Sequence, residues 1–371
     1  MKGKPLKNTI LQGNVLDVLK TLPDNFVDMM ITSPPYWGLR DYGLPDSIFG
    51  GNLNCNHEWN DGIKKGISGG TKSEKVQTKG KDNFQITQDT KYSFCSECGA
   101  WKGQLGQEPN YNDYINHLFE IMQEVSRVVK DSGSIWVNLG DSYAGSNQGS
   151  GTDKVGVKQK TNRGTNYMNT KDHKSLLSKI DIKSKSLVGI PDRFKIKMID
   201  NGFICRNEII WEKPNQMPSS VKDRFTVDFE KFYFFTKNTK YYFEQQFDPY
   251  TKPMNRWGGN KLEANGESSW DNGTGQSTYR ERDMRPNPNG RNKRCVWSIN
   301  TKPLKEAHFA IYPEALIETP ILACCPENGI VMDIFFGSGT TGVVAKKLNR
   351  NYLGIELNPE YIKIAEKRLD F

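Results

Sequence analysis

Gly329-Ile330-Val331-Met332-Asp333-Ile334-Phe335-Phe336-Gly337-Ser338-Gly339-Thr340-Thr341-Gly342 is the stretch that decides the fold. Its first half is an apolar run of the length and composition of a buried strand. Three glycines follow at GxGxxG spacing, and Val343-Val344-Ala345-Lys346-Lys347-Leu348 then has a helical pattern. Strand, glycine turn and helix predict the cofactor-binding corner of a doubly wound α/β sheet. A second strand is expected over Tyr352-Leu353-Gly354-Ile355, ending at Glu356. A carboxylate at that tip accepts hydrogen bonds from the two ribose hydroxyls of an adenosine-type cofactor. A side chain at Gly339 is expected to obstruct the cofactor. The glycine spacing alone suits a dinucleotide equally well. A dinucleotide enzyme, however, usually opens with its glycine turn, and here the turn comes near the end.

The second informative stretch is Thr32-Ser33-Pro34-Pro35-Tyr36-Trp37, directly after the apolar Val27-Asp28-Met29-Met30-Ile31. Two consecutive prolines fix φ and remove two backbone donors. A strand running into them ends in a stiff loop whose carbonyls lack ladder partners. Ser33 adds a hydroxyl acceptor, and Tyr36 and Trp37 add flat faces. Acceptors beside a stacking surface suit a planar ring bearing an amino group, the geometry an amino-methyl transfer requires. The alternative is a strand-end turn with incidental aromatic residues.

Ser33-Pro34-Pro35-Tyr36 early and Asp333 through Gly342 late resembles the S-adenosylmethionine-dependent amino-methyltransferases of DNA modification, in the permuted subgroup whose catalytic loop precedes its cofactor motif. Three further blocks look like this family: Leu187-Val188-Gly189-Ile190-Pro191, Arg206 through Asn215, and His308-Phe309-Ala310-Ile311-Tyr312-Pro313-Glu314. The likeness covers the chain apart from loops at roughly 60–92, 145–182 and 250–292. Two positions depart from the pattern. Ile334 replaces the usual proline after the aspartate, and Gly13-Asn14 replaces the usual Gly-Asp.

The resemblance implies a circularly permuted Rossmann-like α/β fold with a mostly parallel sheet. It implies catalysis by Ser33, Pro34, Pro35 and Tyr36 on a base flipped out of double-stranded DNA. It implies cofactor contacts from Asn14, Asp333, Phe335, Gly337, Ser338, Gly339, Thr340, Thr341, Glu356 and Asn358, with Phe309 and Tyr312 at the methionine end. Serine at position 33 resembles the cytosine-N4 members, whereas adenine-N6 members more often carry aspartate. The expected setting is a prokaryotic or phage-infected cytoplasm, with a cognate restriction endonuclease as a possible companion. The remote alternatives are a zinc-stabilised nucleic-acid-binding protein and a dinucleotide oxidoreductase.

Composition agrees. The 371 residues suffice for one or two domains, and a formal net charge of +8 suits a polyanionic partner. No apolar run is long enough to span a membrane, and Met1-Lys2-Gly3-Lys4-Pro5 lacks the apolar stretch of a signal peptide. The seven cysteines are therefore read as reduced. Cys55-x-His57 and Cys95-x-x-Cys98 form two close pairs that match a closed, structural zinc site. Such a site leaves no position open for catalysis. Cys205, Cys295, Cys324 and Cys325 are read as core residues.

Strands are expected over 9–12, 26–31, 134–138, 205–211 and 231–236, and helices over 111–129, 190–200, 313–325 and 359–369. His117 falls within the first of these helices and is read as structural or solvated. The chain thus divides into a catalytic domain (1–50, 99–249 and 293–371), a zinc-binding insertion (51–98) and a target-recognition region (250–292). The last contains Arg280, Arg282, Arg285 and Arg291, side chains of the type that read base edges. Residues 145–185 are rich in lysine and suit either a phosphate-tracking arm or a solvated loop.

Overall fold

The computed structural model describes residues 6–38, 44–52, 54–64, 90–144, 182–250, 287, 289–302 and 312–370. The chain divides into a large unit, Met1–Tyr242 with Val296–Phe371, and a small unit, Phe243–Cys295.

In chain order the large unit begins β1 (Thr9–Gln12), α1 (Val15–Thr21) and β2 (Val27–Thr32). Four short strands follow: β3 (Ser47–Phe49), β4 (Trp59–Lys64), β5 (Thr90–Cys95) and β6 (Trp101–Gly103). Then come α2 (Tyr111–Val128), β7 (Val129–Leu139), α3 (Ile190–Asp200), β8 (Ile204–Glu212) and β9 (Phe229–Thr236). The small unit contributes β10 (Phe247–Asp248) and β11 (Arg291–Asn292), an antiparallel ribbon. The chain returns with β12 (Val296–Ser298), α4 (Glu314–Cys324), β13 (Ile330–Asp333), α5 (Thr340–Lys347), β14 (Asn351–Glu356) and α6 (Pro359–Leu369).

Eight strands form the main sheet in the order β1-β14-β13-β2-β7-β9-β8-β12. Neighbours are parallel except on the two sides of β9, which runs against β7 and β8. The central strands β13 and β2 are almost wholly buried, as a parallel sheet covered on both faces requires. Helices α1, α2 and α3 pack in one series and α4, α5 and α6 in another. The apolar face expected of α2 is the buried one: Ile115, Leu118, Ile121 and Val125 all lie in the core.

The chain leaves β13 toward β14 on one side and leaves β2 toward β7 on the other. The strand order therefore reverses between the parallel neighbours β13 and β2, the place where open α/β sheets bind ligands. The late glycine motif and the early Pro-Pro loop meet there.

Strands β3, β6, β5 and β4 form a separate antiparallel sheet. Two of them reach into the segment read as loop at 60–92. Short strands carrying little apolar alternation give no period-2 signal, so this sheet was not foreseen. Cys324 and Cys325 are buried as expected, whereas Cys205 and Cys295 are only half-buried. No described helix is long and apolar enough to cross a membrane.

Candidate functional site

A cleft opens at the reversal point, enclosing about 1070 Å³ together with its mouth. Gly13, Asn14, Ser33, Pro35, Phe335, Gly337, Ser338 and Glu356 line it from the main sheet, and Ser47, Phe49, Gln104 and Leu105 from the four-stranded side. Asp333, at the end of β13 behind the lining residues, locks the strand ends together. This buried carboxylate accepts from Thr32 Oγ1 at 2.6 Å, Thr341 Oγ1 at 2.5 Å, Tyr312 Oη at 2.8 Å and the Phe335 N–H at 3.1 Å. Burial pushes its pKa up while these donors pull it down. Asp333 thus ties β13, β2 and α5 together with all its hydrogen bonds inside the protein.

Glu356 is placed differently. The Gly337 N–H donates to Oε2 at 2.7 Å and the Asn358 N–H to Oε1 at 2.8 Å. These two bonds fix the carboxylate at the cleft wall, and burial raises its pKa. Gly339 caps α5 in the left-handed region, at φ +81°. A Cβ there would meet Ala365 Cβ at 2.8 Å. The expectation that a side chain at Gly339 obstructs the cofactor is therefore corrected, because it would collide with α6. Gly342 and Gly354 both make room for the Phe336 ring, which a Cβ would approach within 2.8 and 2.5 Å respectively.

The Pro-Pro loop leaves β2 beside the ends of β7 and β9. Tyr36 Oη donates to Glu230 Oε2 at 2.7 Å, with Asn138 Oδ1 at 3.1 Å. Its ring lies on Gly140, where a Cβ would come within 2.6 Å of a ring carbon. Burial and the Glu230 charge raise the phenol pKa, so Tyr36 stays a neutral donor. Lys213 Nζ in turn bonds Glu230 Oε1. Ser33 Oγ is 3.4 Å from both Tyr36 Oη and Asn138 Oδ1, long contacts that leave the hydroxyl able to accept. The Pro35 carbonyl accepts from Tyr114 Oη at 2.8 Å. The Pro34 carbonyl, in a buried residue, has no donor among the described residues.

The four-stranded sheet carries the Cys/His cluster. Cys55 Sγ lies 3.7 Å from Cys95 Sγ, and Cys98 Sγ lies 3.4 Å from His57 Nδ1. All four ligand atoms fall within 4.8 Å of one another. Tetrahedral zinc with Zn–S bonds of about 2.3 Å has S···S edges of about 3.8 Å, so the donor set and its spacing fit that ion. A knuckle holds the pair: the Cys95 N–H donates to Ala100 O at 2.8 Å and the Gly99 N–H to Cys95 O at 3.0 Å.

The remaining site residues named from sequence take varied places. Asn14 Oδ1 caps α1 by accepting from the Leu16 N–H at 2.9 Å, while its Nδ2 donates to Ser47 Oγ. Its amide is thus already engaged, although the residue lines the cleft. Ser338 and Thr340 accept from Arg368 Nη1 at 3.0 and 3.2 Å. Asn358 caps α6 through the Glu360 N–H, and Tyr312 sits behind Asp333. Arg291 lies in the β10–β11 ribbon. Phe309, Arg280, Arg282 and Arg285 fall outside the described residues, as does most of 145–185.

Sequence reading missed Asn138, Glu230 and Tyr114, which position the Pro-Pro loop, and Ser47, Phe49, Gln104 and Leu105, which form a cleft wall. An acid opening an apolar strand, as Glu230 opens Lys231-Phe232-Tyr233-Phe234, was the one local signal available.

A family described as DNA methylase matches residues 27–367. Type II methyltransferase M.Cfr9I of Citrobacter freundii is 32% identical over 368 residues, spanning 97% of this chain and 87% of that protein. Type II methyltransferase M.SmaI of Serratia marcescens is 30% identical over 360 residues, spanning 97% and 90%. Among solved structures, the PvuII DNA methyltransferase, titled cytosine-N4-specific, matches with a TM-score of 0.52. It is 17% identical and covers 99% of this chain and 89% of its own, a likeness of fold.

Proposed function

This chain belongs to the DNA methylase family of S-adenosylmethionine-dependent methyltransferases, and from that footing we propose that it methylates the N4 amino group of a cytosine flipped out of duplex DNA. The observation that carries the reading is Ser33, a neutral hydroxyl beside the undonated Pro34 carbonyl at the reversal point of the sheet. An exocyclic amine delocalises its lone pair into the ring and is a poor nucleophile. Ser33 Oγ and Pro34 O accept its two N–H bonds and turn the lone pair out of the ring plane. Tyr36, pinned by Glu230 and braced on Gly140, gives the base a fixed ring to stack against. When bound, S-adenosylmethionine supplies an electrophilic methyl on a sulfonium centre. Glu356 would hold the ribose hydroxyls, with Phe335 and Gly337 lining the same cleft, and orientation would supply most of the acceleration.

Ser33→Ala tests the assignment of the acceptor. Cofactor affinity should be unchanged, while the methyl-transfer rate falls by about tenfold or more, the worth of one hydrogen bond made at the transition state. An unchanged rate contradicts the reading. Adenine-N6 is the second product that the family spans. Zinc belongs to the same proposal: Cys55, His57, Cys95 and Cys98 bind one ion structurally and hold the four-stranded sheet against the cleft. Base recognition is assigned to residues 250–292, and a restriction endonuclease of the same site is a candidate companion.

A further inference from the structure

We propose that the loop joining β8 to β9 is a DNA wedge, with Phe225 and Met217 entering the base stack and filling the space left by the extruded base. The inference rests on the DNA methyltransferase reading and adds to it the element that keeps the duplex open. Every residue from 214 to 229 is solvent-exposed. Phe225 is 96% exposed and Met217 82%. Of the eleven exposed large apolar side chains among the described residues, four fall in this one loop, Met217, Val221, Phe225 and Val227, and a fifth, Phe229, opens β9 directly after it. Single exposed apolar residues are ordinary, but such a concentration marks a surface with a partner.

The loop is anchored to the catalytic network at its base and braced at its tip. Lys213 Nζ bonds Glu230, which holds Tyr36 Oη, and the Lys213 N–H donates to Asp228 O at 2.7 Å. Asn215 donates to Thr301 O and accepts from the Thr301 N–H, each at 2.9 Å. Further out, the Arg224 guanidinium lies 3.5 Å over the Tyr143 ring, and Asp223 pairs with Lys185 at 2.7 Å. Pro214 and Pro218 stiffen the strand exit. Phe225 is thereby presented to solvent on a held loop whose base is linked through Glu230 to Tyr36.

The partner is read from charge and shape. Lys222 and Arg224 both precede Phe225 in the chain, and Lys185 neutralises Asp223. An exposed apolar ring next to cations in the chain suits a polyanion with an apolar interior, which is a duplex whose bases are being unstacked. Apolar side chains driven between base steps are the usual means of holding such a distortion, and an extruded base leaves a gap that costs stacking.

The test uses a duplex carrying the site that the protein methylates in cellular DNA, with 2-aminopurine at the target position. Wild-type protein should raise 2-aminopurine fluorescence as the base leaves the stack. Phe225→Ala should bind S-adenosylmethionine as wild type does, lose most of that rise and bind the duplex about 10-fold more weakly. A pyrene nucleotide opposite the target fills the same gap from the DNA side and should restore extrusion by Phe225→Ala. An unchanged fluorescence rise in the variant overturns the wedge. So does a loss that pyrene does not rescue, which assigns Phe225 to general DNA contact, or a change of oligomeric mass with extrusion intact, which assigns the loop to a protein interface. Failure of the wild-type protein to extrude or methylate any duplex contradicts the underlying reading instead.

Discussion

Glu356 and Asp333 are both buried acids at strand ends one strand apart, yet their partners divide their roles. Asp333 is surrounded by three hydroxyl groups and one N–H. Glu356 is held by two backbone N–H groups and faces the cleft. Glu356→Ala should weaken S-adenosylmethionine binding by about 1–3 kcal/mol with the fold intact, as measured by isothermal titration; unchanged affinity contradicts the ribose assignment. Its raised pKa gives the effect a sign with pH. The acceptor is the ionised form, and protonation begins at a higher pH than for an exposed glutamate. Cofactor affinity should therefore decline on acidification earlier in wild type than in Glu356→Gln, which does not titrate. The position of Glu356 was legible in the sequence because a strand and its tip are local features. The partners of Asp333 were not, since Thr32 lies 301 residues away in the chain.

At the scale of elements, long periodic segments were read well. Helix α2 and strands β2, β8 and β9 match their expected spans within a few residues, because burial on one face or on both imposes a visible period. The four-stranded sheet escaped because its strands are short and the Cys/His pairs at its base meet only in the fold; the proposed zinc makes the order of the sheet depend on that meeting. That dependence is itself testable. Purified protein should contain about one zinc per chain. Cys95→Ser with Cys98→Ser should lose the metal and become protease-sensitive between residues 55 and 100, since metal binding of this kind is coupled to folding. Absence of zinc from protein prepared without chelators contradicts the site. Phe49, Gln104 and Leu105 belong to this region and line the cleft, so the metal-free variant should also bind cofactor more weakly.

For the molecule as a whole, permutation places β13 and β2 at opposite ends of the sequence and side by side in the sheet, and this order was readable from two short motifs. Recognition of DNA sequence was not readable to the same depth, because base-reading side chains carry no period and depend on a partner. The arginines of residues 250–292 give that question a form. Arg280→Ala or Arg282→Ala should weaken binding to the methylated site more than to random duplex if the side chain reads a base. Equal losses on both indicate phosphate contact, and no loss on either moves recognition to another segment. The central claim is the atom that receives the methyl group, and it rests on a serine where a carboxylate would otherwise stand beside the amine. Duplex DNA methylated by the purified protein, digested to nucleosides and resolved by mass spectrometry, measures it directly. N4-methylcytosine is the predicted product, and N6-methyladenine without N4-methylcytosine would contradict the claim.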